Sequence, residues 1–263
     1  MKVLIVSANT LPAAPSGPAY AAGAALKEGH TVKVFEALFA QDLTGELKKE
    51  IITFAPDVVG ISIRLVHGYV IDEDAEFGTK YLDLRVRVKE IVEFIKQVSN
   101  AQIILGGPGF NYFGPDWLEY LDLDYSIRGE AEQSLPQFLE RLGSGEDIHS
   151  VPGCVFRQNG AFGKVARKYI EDLDATAFPA YELFDLGKYY EQGICLWSSH
   201  QKVLEDARAD GQLTDDAALF QGATYMSPQL PRDYMIELVE SLRKKEGYTV
   251  QVNKLYADHQ RDK

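Results

Sequence analysis

The amino-acid sequence predicts an α/β fold built on a doubly wound, five-stranded parallel sheet. Over residues 1–143, short apolar runs alternate with segments whose apolar residues repeat at helical spacing. The first run, KVLIVS at residues 2–7, is almost continuously apolar, which is typical of a strand buried on both faces. Right-handed crossovers would place the intervening helices on both sides of the sheet.

Strands and helices are expected in strict alternation. The predicted strands are residues 2–7, 31–35, 57–63, 102–106 and 124–128. The predicted helices are residues 17–29, 43–54, 81–98, 117–121 and 130–142. The first helix has Pro18 near its start and Gly29 at its end, as helix termini favour. The third repeats apolar positions every three or four residues between residues 84 and 95.

Beyond residue 150 the pattern changes. Two short apolar segments flank Gln158-Asn159-Gly160, which predicts a small β-hairpin with an Asn-Gly turn. The stretch that follows, residues 170–186, is acidic, aromatic and interrupted by proline, which is typical of a wrapping linker. Two helices are expected near the carboxyl end, at residues 201–211 and 232–246, before a polar tail. The expected units are therefore a sheet domain (1–148), a hairpin and linker (149–194) and a helical carboxyl-terminal segment (195–263).

Composition and charge exclude several classes of function. The 263 residues carry 27 Lys and Arg against 39 Asp and Glu, so the net charge is −12. Such an acidic chain is a poor partner for nucleic acid or an anionic membrane surface. No apolar run reaches the roughly 18 residues of a membrane span. The opening MKVLIVSANT indicates a first strand rather than a signal peptide.

The cysteine count points to a reducing compartment. Cys154 and Cys195 are the two cysteines, too few for a disulfide framework. With no export signal recognised, this predicts a cytoplasmic location. Two thiols also exclude an all-cysteine metal or iron–sulfur site within one chain.

The candidate binding residues follow the strand ends. Ligands of doubly wound sheets bind beyond the carboxyl ends of the strands, where the strand order reverses. The loops expected there are residues 8–16, 64–79, 107–115 and 129–132. In and beside the first two loops the candidate residues are Asn9, Thr10, Ser62, Arg64, Leu65 and Val66. A guanidinium at the end of a buried strand, such as that of Arg64, requires a polar partner or a polar ligand.

The glycine loop, residues 106–110 (GGPGF), is the most informative short segment. Three glycines in four positions let backbone approach a ligand closely, because no Cβ stands in the way. A tight turn within the chain explains the motif equally well. The candidate residues here are Gly106, Gly107, Pro108, Gly109 and Phe110.

The acidic loop, residues 128–132 (RGEAE), supplies the last candidates, Gly129, Glu130 and Glu132. Carboxylates in a first helical turn favour the positive end of the helix, so simple capping is the alternative interpretation. A binding role gains support because this loop and the glycine loop are expected at the same edge of the sheet.

The remaining motifs predict neither a catalytic residue nor a metal ligand. His67 does not belong to an Asp-x-His-x-x-Gly motif, because the residue two positions before it is Leu65. A lone loop histidine is more often solvated than a ligand. The sequence has no P-loop, no Gly-x-Ser-x-Gly elbow, no His-Glu-x-x-His helix and no glycine triplet of the dinucleotide type after the first strand.

Several segments together resemble the amino-terminal half of cobalamin-binding radical S-adenosylmethionine (SAM) enzymes, the class B radical SAM methyltransferases. In chain order they are PDVVGIS (56–62), ILGGP (104–108), YSIRGEAE (125–132), VPGCVF (151–156), IEDLD (170–174) and FPAY (178–181). The resemblance implies a Rossmann-like, flavodoxin-type domain that holds cobalamin with its corrin face over the strand ends. The nucleotide tail would lie near the glycine and acidic loops. Without the histidine motif, either Arg64 or Leu65 would lie under the corrin.

One departure from this family is large. Its members carry a Cys-x-x-x-Cys-x-x-Cys loop that holds a [4Fe–4S] cluster, which binds and cleaves SAM. Here YYEQGI (189–194) is followed by Cys195 and no further cysteine. Residues 201–256 resemble the extreme carboxyl-terminal part of such enzymes, which implies that a barrel of about 200 residues is absent in between. We therefore expect a truncated chain without cluster or SAM, and without turnover on its own.

Three functions follow from the sequence. The first is the cobalamin-binding part of a radical SAM methyltransferase that lacks the catalytic barrel, with a separate radical SAM barrel protein as its partner. The second is a stand-alone corrinoid carrier or sensor that hands cobalamin to a partner protein and forms a stable complex with a separate barrel protein, although carriers usually show the histidine motif. The third is a flavodoxin-like or glycosyltransferase-like domain that binds a nucleotide cofactor or sugar nucleotide at the same edge.

Overall fold

The computed structural model describes residues 1–9, 14–71, 79–172, 175–191, 196–198 and 223–225. The chain divides into two compact units. The first contains the described residues of 1–9, 17–171 and 176–184, and the second contains those of 14–16, 172, 175 and 185 onward.

The first unit is built around a seven-stranded mixed sheet. Its strands are β1 (Lys2–Ser7), β2 (Thr31–Glu36), β3 (Val58–Ser62), β6 (Gln102–Gly106), β7 (Tyr125–Ile127), β8 (Cys154–Gln158) and β9 (Ala161–Lys164), with β4 (His67–Ile71) and β5 (Thr79–Asp83) forming a separate ribbon. The order across the sheet is β2-β1-β3-β6-β7-β8-β9, and the first five strands are parallel. The five predicted strands are therefore present. The expectation of a five-stranded sheet was wrong, because the hairpin joins the same sheet.

The hairpin adds to the sheet edge antiparallel to β7, with Ile127 opposite Cys154. Its two strands turn at Asn159 and Gly160, which both adopt positive φ, 52° and 78°, as an Asn-Gly turn requires. Arg157 anchors it: its backbone N–H donates to the Asp124 carbonyl at 2.9 Å, and its side chain pairs with Asp122 and Asp124 at 3.2 and 3.1 Å. The predicted hairpin is confirmed, and these bonds explain why it extends the sheet.

Helices cover both faces of the sheet. They are α1 (Ser16–Lys27), α2 (Leu43–Phe54), α3 (Leu84–Val98), α4 (Pro108–Phe113), α5 (Pro115–Leu121) and α6 (Ala131–Ser144), with single 3₁₀ turns at Ile148–Ser150 and Tyr181–Leu183. One core cluster joins the sheet to α2, α3 and α5, and a second joins it to α1 and α6. The two-sided burial explains the continuously apolar strands.

The third helix begins later than expected. Residues 81–83 belong to β5, which pairs with β4 from His67 opposite Asp83 to Ile71 opposite Thr79. Asp83 then caps α3: its carboxylate accepts from the backbone N–H of Arg85 at 3.0 Å. The predicted loop at residues 64–79 therefore contains a strand of this ribbon, and the predicted loop at residues 107–115 contains α4.

The second unit contains α7 (Leu186–Glu191) and an antiparallel pair, β10 (Leu196–Ser198) and β11 (Ala223–Tyr225), with Leu196 opposite Tyr225. The helices predicted at residues 201–211 and 232–246 lie outside the described residues. In the part of the chain that the structure describes, no helix has the length and apolar character that a membrane crossing needs.

Residues 176–180 run directly against α1. The backbone N–H of Ala180 donates to the Ala19 carbonyl at 2.9 Å. A Cβ placed on Gly23 would lie 2.0 Å from the Phe178 carbonyl oxygen, so the glycine is what allows this close packing.

We expect Gly23→Ala to destabilise the fold, because the added methyl group must push the 176–180 backbone away from α1. This steric cost, about 1–3 kcal/mol for overpacking, exceeds the gain of about 1 kcal/mol from replacing glycine within a helix. Urea unfolding followed by circular dichroism measures the change. Gly143→Ala in α6 is the matched control, since its Cβ would meet only the Met1 side chain, with Sδ at an ordinary 3.6 Å and Cγ at 3.8 Å. That variant should be neutral or stabilising, and equal effects at the two positions would contradict the packing argument.

Candidate functional site

The strand order reverses between β1 and β3, at the edge where the candidate residues were expected. β2 lies on one side of β1, whereas β3, β6 and β7 lie on the other. The backbone N–H of Ala8 donates to the Ser62 carbonyl at 3.1 Å, so the ends of β1 and β3 are joined. Asn9 follows with only 7% of its surface exposed, whereas Thr10 lies outside the described residues.

The segment after β3 changes from buried to exposed within a few residues. Ile63 is fully buried, Arg64 is exposed, and Leu65 and Val66 are half-buried. Val66 packs against the core shared with α2 and α3, and its carbonyl accepts from the Leu84 N–H at 3.1 Å. The structure therefore places a cationic side chain beside an apolar shelf at the sheet edge.

The glycine loop is pressed against the exit of β3. Ile63 N–H donates to the Gly106 carbonyl at 2.9 Å, and Gly109 N–H donates to the Ile63 carbonyl at 2.8 Å. Gly107 has φ +92°, and a Cβ there would lie 2.6 Å from the Ile63 carbonyl oxygen. A Cβ on Gly109 would lie 2.8 Å from Ile63 Cγ2. These two glycines are thus required by close contact within the chain itself.

Two predicted residues of this loop differ in what they can offer a ligand. Phe110, a candidate binding residue of this loop, is 0% exposed and belongs to the core, so its side chain is not presented at the edge. Pro108 is exposed and is the first residue of α4. Proline suits this position because an N–H there would have no partner within the helix.

Sequence reasoning missed two residues that fix these loops. Trp117 Nε1 donates to the Gly109 carbonyl at 3.2 Å in a buried hydrogen bond. Asn111 Oδ1 accepts from the Gly129 N–H at 3.1 Å and so joins the glycine loop to the acidic loop. Trp117 was predicted only as the start of the short helix 117–121, and no local pattern marks Asn111, because both bonds depend on how the strands are ordered.

In the acidic loop the carboxylates contact the chain itself. Glu130 Oε2 accepts from the Ile170 N–H at 2.8 Å. The Glu132 carboxylate accepts from its own N–H and that of Ala131 at the start of α6. Burial raises the pKa of the Glu132 carboxyl above its ordinary value, the nearby Glu130 adds to this, and the two N–H groups oppose it. At Glu132 these hydrogen bonds agree with the capping interpretation, because they satisfy N–H groups at the start of α6.

The described residues do not fit an iron–sulfur cluster or another metal centre. No group of three His, Cys, Asp or Glu residues within them is arranged to hold a metal ion. Cys154 is 0% exposed, and burial raises the pKa of its thiol to about 12, so the thiolate that a metal requires is disfavoured. Cys195 lies outside the described residues.

Comparison with known proteins gives a curated relative and several solved structures of similar fold. No protein-family model matches the chain. An uncharacterized methyltransferase of Pyrococcus horikoshii, PH0819, is 29% identical over 184 residues, which are 68% of this chain and 36% of that protein.

Solved structures share the fold. The radical SAM methyltransferase TsrM from Kitasatospora setae, with cobalamin and a [4Fe–4S] cluster bound, has a TM-score of 0.59 at 20% identity, covering 73% of this chain and 38% of that one. The cobalamin-dependent SAM radical enzyme OxsB, with aqua-cobalamin and SAM bound, has a TM-score of 0.54 at 14% identity, covering 72% and 25%. The chain thus spans less than two fifths of these relatives. It shares a fold with part of cobalamin-dependent radical SAM enzymes.

We expect Gly107→Ala to cost more stability than Gly145→Ala. Both residues have positive φ, +92° and +73°. Alanine costs about 1–2 kcal/mol of backbone strain in the left-handed conformation of Gly145 and more at Gly107, whose ψ of 168° places it in a region essentially restricted to glycine. Only at Gly107 does the new Cβ also collide with the Ile63 backbone, whereas nothing lies within 4 Å at Gly145. Urea unfolding of the two variants measures the difference. Equal losses would show that the glycine loop can move away from β3 freely.

We expect the stability of the Glu132→Gln variant, relative to that of the wild type, to increase as pH rises from acid to neutral. The raised pKa means that the folded state keeps its proton after the unfolded state has ionised near its ordinary value of 4.5. Wild-type stability therefore falls as pH increases through the interval between these two pKa values. The amide of Gln keeps an acceptor oxygen but does not titrate. Unfolding free energies of both proteins between pH 3.5 and 8 test this, and a difference independent of pH would contradict it.

Proposed function

We propose that this chain binds cobalamin at the carboxyl edge of its sheet, as the cobalamin-binding portion of a radical SAM methyltransferase-like enzyme. The observation that carries the proposal is the joining of the β3 exit, the glycine loop and the acidic loop beside the point where the strand order reverses. The likeness in fold to cobalamin-bound TsrM and OxsB supports this choice of ligand over other ligands of doubly wound sheets.

The residues at this edge fit a corrinoid, which presents a flat apolar macrocycle rimmed by amides. Leu65 and Val66 offer an apolar shelf at the end of β3. The fully buried Ser126 hydroxyl, on β7 beside Leu105, has no hydrogen-bond partner among the described residues. Such a group is satisfied by water or by a ligand.

The predicted binding residues divide into two groups. Asn9, Thr10, Ser62, Arg64, Leu65 and Val66 would contact the corrin face, with either Arg64 or Leu65 beneath the cobalt. Gly106, Gly107, Pro108, Gly109, Gly129, Glu130 and Glu132 would line the path of the nucleotide tail, and Phe110 would support that path from the core. When bound, cobalamin supplies methyl-transfer chemistry at its cobalt, and the protein holds it and excludes water.

The proposed role of this chain on its own is binding without turnover. The family's reaction also uses a [4Fe–4S] cluster and SAM, and the described residues offer no donor set for a cluster. A radical SAM barrel from a separate protein is the partner we propose for the complete reaction. Substrate choice would then depend largely on that barrel.

Other ligands of the same fold are less well supported. A flavin phosphate would be expected at the first turn of α6, where backbone N–H groups point at a ligand. Those groups already bind the Glu132 carboxylate, so they are not free to bind a phosphate. A stand-alone corrinoid carrier or sensor predicts the same binding as our proposal but a stable complex with a different partner.

Anaerobic titration with hydroxocobalamin, followed by ultraviolet–visible spectroscopy and gel filtration, tests the proposal. We expect a saturable spectral change and close to one corrinoid retained per chain. A parallel titration with FMN should leave the flavin unbound. No corrinoid retained at micromolar protein would overturn the proposed function.

A pair of variants locates the site. Leu65→Glu places a charge on the apolar shelf and should weaken corrinoid binding at least tenfold, since an unpaired charge next to an apolar ligand is costly. Ile52→Glu adds the same charge on α2 at a side chain that is 64% exposed and should bind as the wild type does. Equal affinities for the two variants would place the corrin elsewhere.

A further inference from the structure

Two arginines beside the acidic loop lack the carboxylate partners that three other described arginines have. Arg85, Arg87 and Arg157 each pair with an Asp or Glu. Within the described residues, Arg128 and Arg167 form no ion pair, and Arg128 Nε is buried without an acceptor. In a chain of net charge −12, unpaired guanidinium groups require an explanation.

Among the described residues, the nearest carboxylates in sequence form no ion pair with these arginines. Glu130 binds the Ile170 N–H, and Glu132 binds N–H groups at the start of α6. Both acids accept hydrogen bonds from backbone donors, and among the described residues neither forms an ion pair with Arg128 or Arg167.

Backbone contacts bring the two arginines into one neighbourhood. Arg128 N–H donates to the Gly153 carbonyl at 2.9 Å, and Gly153 N–H donates to the Ala166 carbonyl at 3.1 Å. The aliphatic part of Arg167 covers Gly129, with Cδ 3.0 Å from the position a Cβ would take. The Arg167 guanidinium lies 5.6 Å above the exposed ring of Tyr169, which orients it without neutralising it.

We infer that Arg128 and Arg167 form an anion site at the acidic loop that binds a phosphodiester, and that its ligand is the phosphate of the cobalamin nucleotide tail. This inference rests on the proposed function. Guanidinium groups suit the task because their donors match phosphate oxygens in pairs and they stay charged at any relevant pH. The asparagine bridge from Asn111 to Gly129 holds this site next to the glycine loop.

The test compares two ligands that differ in the tail. Dicyanocobalamin carries the nucleotide with its phosphate, whereas dicyanocobinamide has the same corrin and cobalt ligands without the nucleotide. Arg167→Gln is the deciding variant, because Arg167 is exposed and its loss leaves the core intact. We expect about tenfold weaker binding of dicyanocobalamin, as for the loss of a charged hydrogen bond, and unchanged binding of dicyanocobinamide.

Two further variants complete the design. Arg128→Gln should give the same selective loss, with urea unfolding reporting whether the half-buried site still folds. Arg87→Gln on α3 changes the net charge equally but removes a surface pair with Glu90, so both affinities should stay as in the wild type. Equal weakening of both ligands by Arg167→Gln, or no weakening of either, would overturn the anion site while leaving the proposed function in place. A wild-type protein that binds neither ligand would overturn both.

Discussion

The contact between the Ile63 backbone and the glycine loop is the constraint on which the rest of this edge depends. Parallel strands β3 and β6 end side by side, and their exits are held together at van der Waals distance by two reciprocal backbone hydrogen bonds. Asn111 and Trp117 then extend this rigid pair toward the acidic loop and the core. Loops fixed in this way can bind a ligand without the entropic cost of becoming ordered first.

The charged groups at the same edge differ in the partners that they bind within the chain. The glutamates of the acidic loop serve as acceptors for backbone N–H groups, so they organise the crossing segment and the start of α6. Arg128 and Arg167 form no ion pair with a carboxylate among the described residues. A local cationic spot on an acidic protein attracts anions only at short range, because the overall field repels them beyond about one Debye length.

Much of the fold could be predicted from the sequence, and the site only in part. The five parallel strands followed from continuous apolar runs, and the Asn159-Gly160 turn from local turn chemistry. The ribbon of β4 and β5 has no distinctive pattern, and the first turn of α3 was placed too early because Tyr81 fits both spacings. Phe110 was a candidate at the edge because it lies in the glycine loop, and position along the chain does not show which way a side chain points. The hydrogen bond of Asn111 could not be predicted either, because its partner is 18 residues away.

The hairpin has a consequence for how the sheet ends. Without it, the outermost strand would be β7, whose three residues are mostly buried and whose backbone would offer free hydrogen-bonding groups to another chain. With it, the edge becomes β9, four residues long, partly exposed, and carrying Gly163 and Lys164. Short, charged and weakly apolar strands are poor templates for strand addition. The hairpin therefore protects the parallel sheet from edge-to-edge association and aggregation.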